Sequence, residues 1–147
     1  MRIIMKRMLL LCSFLTLLGS CTGDAVTEDS FHFEILPIAT VELPNELVGD
    51  EMITIDYSYL LPTNCHSFND LYYIENGNER TIAVVNLVTD STPTGLACTT
   101  LNEQLDERNF EFYVPPEYSV MVLRFWQGED VNGEDIYLRV ELPVVEE

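Results

Sequence analysis

Cys65 and His66 stand side by side in the stretch NCHSF, residues 64–68. A thiol beside an imidazole offers three chemistries: a thiolate nucleophile with its base, part of a metal site, or one end of a disulfide. A nucleophile needs its base close in space. Neighbours on an extended chain point to opposite faces, so His66 is badly placed to serve Cys65. The one other histidine is His32. Neither CHSF nor the ACTT around Cys98 forms a nucleophile motif. Zinc wants three or four ligands at short spacings, and two cysteines this far apart with no second histidine nearby do not supply them.

A second candidate is GEDVNGED, residues 128–135. Asp130, Asn132 and Asp135, with Glu129 or Glu134, carry the oxygen ligands that Ca²⁺ prefers. The D-x-N-G-x-D spacing is only part of an EF-hand loop, lacking its bidentate Glu at position twelve. An acidic hairpin tip uses the same residues for backbone reasons, and that reading is favoured. Calcium is the one cofactor considered. The aromatics are a third candidate. Seven tyrosines and the single Trp126 offer faces for sugars or peptides. Half of them fall on faces expected to point inward, so core packing is the first expectation. No G-x-S-x-G, no HExxH and no Gly-rich phosphate loop occurs, so no enzymatic activity is expected.

The ends of the chain decide the cysteine question. Arg2, Lys6 and Arg7 precede the apolar run Met8–Leu18, too short to span a bilayer as a stable helix and of the length of a signal-peptide core. Leu18-Gly19-Ser20-Cys21 follows. This resembles the lipobox of bacterial lipoproteins, with Gly19 the one less usual residue. The resemblance implies that residues 1–20 are a signal peptide and that Cys21 becomes the lipidated first residue of the mature chain. Cys12 leaves with the leader. Cys65 and Cys98 remain, an even pair in an oxidising compartment, and are expected to form a disulfide. His66 is then expected to be an exposed turn residue.

From Cys21 onward four arginines face 25 carboxylates, and there is no lysine: a balance of −21. Such a surface repels nucleic acid and anionic headgroups. Residues 21–30 read as the lipidated cysteine and an acidic tether. Asp24, Glu28 and Asp29 in it resemble the acidic export tag of some Bacteroidota-type lipoproteins. Asp90-Ser91-Thr92 resembles a short O-glycosylation acceptor of exported proteins from the same bacteria.

The elements that must position these residues are strands. FHFEI alternates Phe31, Phe33 and Ile35 against His32 and Glu34, and ATVELP continues after Pro37. EMITIDYSYLLP sets Ile53, Ile55, Tyr57 and Tyr59 against Thr54, Asp56 and Ser58. DLYYIENGNERTIAVVNLV holds two strands about Asn76-Gly77, a hairpin signal because both central residues take positive φ. NFEFYV and DIYLRVELPV alternate. YSVMVLRFWQG is apolar on both sides, as a covered central strand is. Asn132-Gly133 marks a second turn, and Leu101–Arg108 allows one helical turn. Residues 31–147 therefore read as one all-β domain, an antiparallel Ig-like β-sandwich of about seven to nine strands. A true immunoglobulin signature is missing, since Trp126 follows both cysteines.

PI, YLLPTNCHSF, the second cysteine, RFWQGEDVNGEDIYL and a closing LPV together look similar to small β-rich lipoproteins of Bacteroidota-type bacteria. That likeness carries no catalytic residue to transfer. The expectation is a binding or assembly module, lipid-anchored in the outer membrane or at the cell surface, with a protein or glycan partner. A small secreted hydrolase or thiol enzyme, and a purely structural envelope protein, are the alternatives.

Overall fold

The computed structural model describes residues 31–146. Residues 1–20, expected to be a signal peptide, Cys21, and residues 22–30, expected to be a tether, lie outside the described residues. The described chain is all-β, with nine strands in two sheets and no helix. They are β1 (Phe31–Leu36), β2 (Ile38–Glu42), β3 (Leu47–Val48), β4 (Met52–Leu60), β5 (His66–Asn76), β6 (Glu79–Thr89), β7 (Leu105–Tyr113), β8 (Val120–Glu129) and β9 (Asp135–Val145).

The larger sheet is built around β6. One edge of β6 pairs with β5 along its whole length, from His66↔Val88 to Asn76↔Glu79. The other edge is divided. Residues 84–89 take β1 antiparallel, and residues 79–82 take β8 parallel. β9 follows antiparallel on β8, and the two-residue β3 closes the edge parallel to β9. The smaller sheet is β2–β4–β7, antiparallel throughout. Two pairings are thus parallel, where an all-antiparallel sandwich was expected. Parallel neighbours need a crossover connection, and β7 supplies it by crossing to the smaller sheet between β6 and β8.

The two sheets share one core. Ile38, Ile55, Tyr57, Tyr59 and Phe112 of the smaller sheet meet Leu36, Ile82, Val84, Met121, Leu123, Phe125 and Leu142 of the larger. Each such side chain contributes about 1.5–3 kcal/mol on burial. β8 is covered as its apolar pattern required, with Met121, Val122, Leu123 and Phe125 all buried. Two polar side chains share the inner face of β6. Arg80 donates from Nη1 to the carbonyls of Gly77 (2.7 Å) and Glu79 (3.0 Å), closing the hairpin from inside. Asn86 is fully buried.

Three local expectations change. The β5–β6 turn is Gly77-Asn78, one residue later than expected, with positive φ at Gly77 (59°) and not at Asn78. A two-residue hairpin needs only its first central residue there when that residue is glycine. The Asn132-Gly133 turn is longer: Gly133 N–H donates to the Asp130 carbonyl, and Gly133 alone takes the left-handed φ of 79°. The helical turn allowed at 101–108 is absent. Leu105–Arg108 instead pair with Tyr57–Leu60 of β4, because ladder bonds and a shared inner face outweigh a weak local helical preference.

The crossings between sheets converge at one end. The β4–β5 and β6–β7 connections run side by side, joined by Leu61 N–H to the Gln104 carbonyl (3.0 Å), Leu101 N–H to the Pro62 carbonyl (3.0 Å) and Asn64 N–H to the Thr99 carbonyl (3.2 Å). Cys65 and Cys98 are disulfide-bonded across this strap, with Cα atoms 5.5 Å apart. The bond staples two connections and does not join two facing strands through the core.

Two outcomes follow. Replacing both cysteines by serine should remove roughly 3.5–4 kcal/mol of unfolding free energy, the loop-closure entropy of about 34 residues. Denaturant titration measures this, and a loss below about 1 kcal/mol would mean the strap holds without its bond. Separately, burial pushes the Tyr57 and Tyr73 phenols up from 10.0 to about 12. Between these values the folded chain keeps protons that the unfolded chain releases, so stability falls as pH climbs through that window. Tyr57→Phe and Tyr73→Phe should flatten that fall in the thermal midpoint.

Candidate functional site

The NCHSF stretch resolves into a staple and a clamp. Cys65 carries no free thiol, so it offers neither nucleophile nor ligand. His66 is not the exposed turn residue expected, since only 6% of its side chain is accessible. β5 starts at His66 rather than near Asp70, and pairing with Val88 turns the imidazole to the inner face. There Nε2 lies 2.9 Å from Glu34 Oε2 of β1, and Nδ1 lies 2.8 Å from Thr63 Oγ1. A carboxylate only accepts, so Nε2–H donates to Glu34, while Nδ1 shares a hydrogen bond with the Thr63 hydroxyl. Thr63 Oγ1 also accepts the Cys65 N–H at 3.2 Å. Hydroxyl, imidazole and carboxylate thus run in one line from the strap to β1, across the end of β6.

The acidic hairpin tip closes on itself. Asp130 Oδ1 accepts the N–H groups of Asn132 (2.7 Å) and Glu134 (2.9 Å), and Oδ2 accepts Asn132 Nδ2 (3.1 Å). The backbone N–H groups of Glu134 and Asn132 hold the Asp130 carboxyl below its ordinary range. Asp135 is engaged elsewhere, as described below. Among the described residues no three His, Cys, Asp or Glu side chains come together to hold a metal ion. Asp90-Ser91-Thr92 opens the β6–β7 connection, where the Thr92 hydroxyl accepts the Leu96 N–H at 3.0 Å.

The aromatics divide by face. Tyr57 and Tyr59 are buried in the core, and Tyr73 is packed against it. Tyr72, Trp126 and Tyr137 stand on the outer face of the larger sheet. They line a depression of about 530 Å³ that the divided edge of β6 creates. β1 and β8 leave β6 on the same side and in opposite directions, and Ala83 sits where one partner gives way to the other. The small Ala83 leaves the floor low. Phe33 and Ile35 of β1 form one wall, and the β8–β9 hairpin forms the other. A register shift between Trp126 and Glu129 sets the hairpin's course beside β1.

The hairpin wall is held rigidly. Trp126 and Tyr137 are cross-strand partners. Trp126 Nε1 donates to Asp135 Oδ1 at 2.7 Å, and the Tyr137 hydroxyl donates to Asp135 Oδ2 at 3.3 Å. One carboxylate thus fixes both ring edges. Partial burial, then the Asp135 charge, raise the Tyr137 phenol above its ordinary value. Arg124 lies 4.0 Å over the Tyr137 ring and pairs with Glu79 Oε1 at 3.1 Å. The β1 wall is strongly exposed: Phe33 at 59% and Ile35 at 46%, with Tyr72 on the floor at 46%.

Sequence reasoning placed Phe31, Phe33 and Ile35 together as the apolar set of β1 but did not name them as a site. Their register against Thr89, Leu87 and Val85 puts that set outside, while Glu34 reaches inward to His66 and Leu36 enters the core. The signal available was the lone Trp126, flanked by a hairpin rich in carboxylates. A second, polar depression of about 340 Å³ lies on the outer face of the smaller sheet, by Thr40, Asp56, Ser58 and Glu107. Comparison with protein-family models, with curated proteins and with solved structures finds no match to this chain.

Because Asp135 accepts a hydrogen bond from both rings, Asp135→Ala should loosen them, Trp126 most. The Trp126 emission should shift to the red and its near-ultraviolet dichroism should weaken, with the far-ultraviolet spectrum unchanged. Unaltered Trp126 signals would show that packing, not Asp135, fixes the wall.

Proposed function

We propose that the protein is a lipid-anchored binding module of the bacterial envelope, held to the outer membrane through Cys21 and taking its ligand in the cleft between β1 and the β8–β9 hairpin. The observation that carries the binding reading is the exposure of Phe33, Ile35 and Tyr72 beside two pinned aromatic rings. Contiguous apolar surface left in water marks contact sites on soluble domains. Rings whose rotamers are already fixed lose little entropy when a ligand covers them. A protein or a glycan suits a cleft with aromatic walls and a carboxylate rim.

The anchoring half of the proposal rests on the leader, the Leu18-Gly19-Ser20-Cys21 run and the polar residues that follow. Nine residues, 22–30, separate Cys21 from the first strand. The negative charge keeps the domain off anionic surfaces. Binding without turnover agrees with the lack of hydrolase and phosphate-loop motifs in the chain.

Two experiments in cells test the halves separately. Metabolic labelling with an alkyne fatty acid should mark the protein, and Cys21→Ser should abolish the mark. A photo-crosslinking amino acid at position 72 should give a discrete adduct that Trp126→Ala removes. The same probe at position 111, on the outer face of the smaller sheet, should give none. Equal adducts from both positions would sink the cleft as the binding site.

A further inference from the structure

The chemistry of the cleft narrows its occupant. None of the residues lining it is basic, and its ionisable rim is Glu34, Glu129 and Asp135. Glu34 gives one oxygen to His66, yet its side chain remains 45% exposed. Both Asp135 oxygens already accept a bond from a ring edge, so Asp135 acts on a ligand as a fixed charge. The rings of Phe33, Tyr72 and Trp126 line the same cleft. Ring faces carry the negative side of the aromatic quadrupole, so faces and carboxylates attract the same kind of group.

The outer face already holds one such group of its own. Arg124 stacks at 4.0 Å on Tyr137 and is steadied by Glu79 at 3.1 Å. An aromatic face with a carboxylate beside it is how this surface satisfies a cation. The cleft adjoins that arrangement, since Tyr137 and Thr81, the cross-strand neighbour of Arg124, both line it, yet no basic side chain is among its own lining residues. The chain as a whole is strongly acidic, 25 carboxylates against seven basic residues, which concentrates positive groups near every depression.

We propose that the cleft takes the ammonium or guanidinium group of a lysine or arginine side chain presented by a partner protein. This rests on the cleft being the binding site. The side chain lies along Phe33 and Ile35 with its methylene stem and places its charged head among the rings, between Glu34 and Glu129. An anionic ligand is repelled by the rim. A neutral sugar stacks on the same rings and can donate hydroxyls to the carboxylates, but it forms no ion pair with them, so its binding would not depend on salt.

Trp126 is the chain's one tryptophan, so its emission reports occupancy. Full-length lipidated protein in non-ionic detergent is titrated with the blocked tripeptides Gly-Lys-Gly and Gly-Arg-Gly. The controls are the norleucine and acetyl-lysine versions and a neutral disaccharide. The expected result is a saturable change with lysine and arginine only. Affinity should fall several-fold from low to physiological salt. It should fall about tenfold in Glu34→Gln/Glu129→Gln, whose fold is checked by far-ultraviolet dichroism. Equal binding of the norleucine or acetyl-lysine peptide, or salt-independent binding of the disaccharide, overturns the cation while leaving the cleft as the site. No response to any probe, with the position-72 crosslink present, also overturns it. Loss of that crosslink as well overturns the cleft itself.

Discussion

A backbone edge can be used only once, and in this protein the edge that matters belongs to β6. Its N–H and C=O groups at residues 84–89 are taken by β1 and those at 79–82 by β8. Every later feature of the larger sheet depends on that division. β8 runs parallel to β6, so β7 must cross to the smaller sheet in between. β1 and β8 leave β6 in opposite directions, so a gap opens on the outer face at Ala83. The cleft comes from strand pairing. Its walls are side chains that had to go somewhere once the pairing was set.

The strap at the end of the sandwich answers a second constraint. Two connections, residues 61–65 and 90–104, must cross between sheets, and irregular backbone carries polar groups that need partners. They find each other, and the Cys65–Cys98 bond locks the pair. Thr63, His66 and Glu34 extend the lock to β1, across the end of β6. The first wall of the cleft is therefore fastened at its base by the disulfide region. The second wall is fastened by Asp135. Rigidity on both sides makes this surface suitable for recognition, because little order remains to be imposed when a ligand arrives.

The inverted face of β1 is the feature with most bearing on function. An amphipathic strand ordinarily turns its apolar set to the core. Here Phe31, Phe33 and Ile35 face outward, and His32 and Glu34 share the inner side with Leu36. The inner side near Glu34 is where the His66 clamp sits, and the carboxylate there is both paired and 45% exposed, so it is held at little desolvation cost. The outward apolar set then costs solvation, and a covering partner would offset that cost.

Much was legible from residues alone, for local reasons. Period-two alternation is a property of each strand, so β4, β7 and β9 could be read directly, with β8 legible from its unbroken apolar run, and with them the all-β sandwich and its core tyrosines. Cysteine parity and the expectation of an oxidising compartment pointed to Cys65–Cys98, and the fold supplies the geometry by bringing their Cα atoms to 5.5 Å. Three matters needed tertiary structure. Alternation tells which residues share a face but not which face is covered, so the sequence grouped Phe31, Phe33 and Ile35 without telling that they face outward. The start of β5 at His66 depends on its pairing with Val88, twenty-two residues away, which no local preference encodes. The cleft depends on how three strands share the edges of a fourth. Competition for backbone partners is settled only when the whole chain is present.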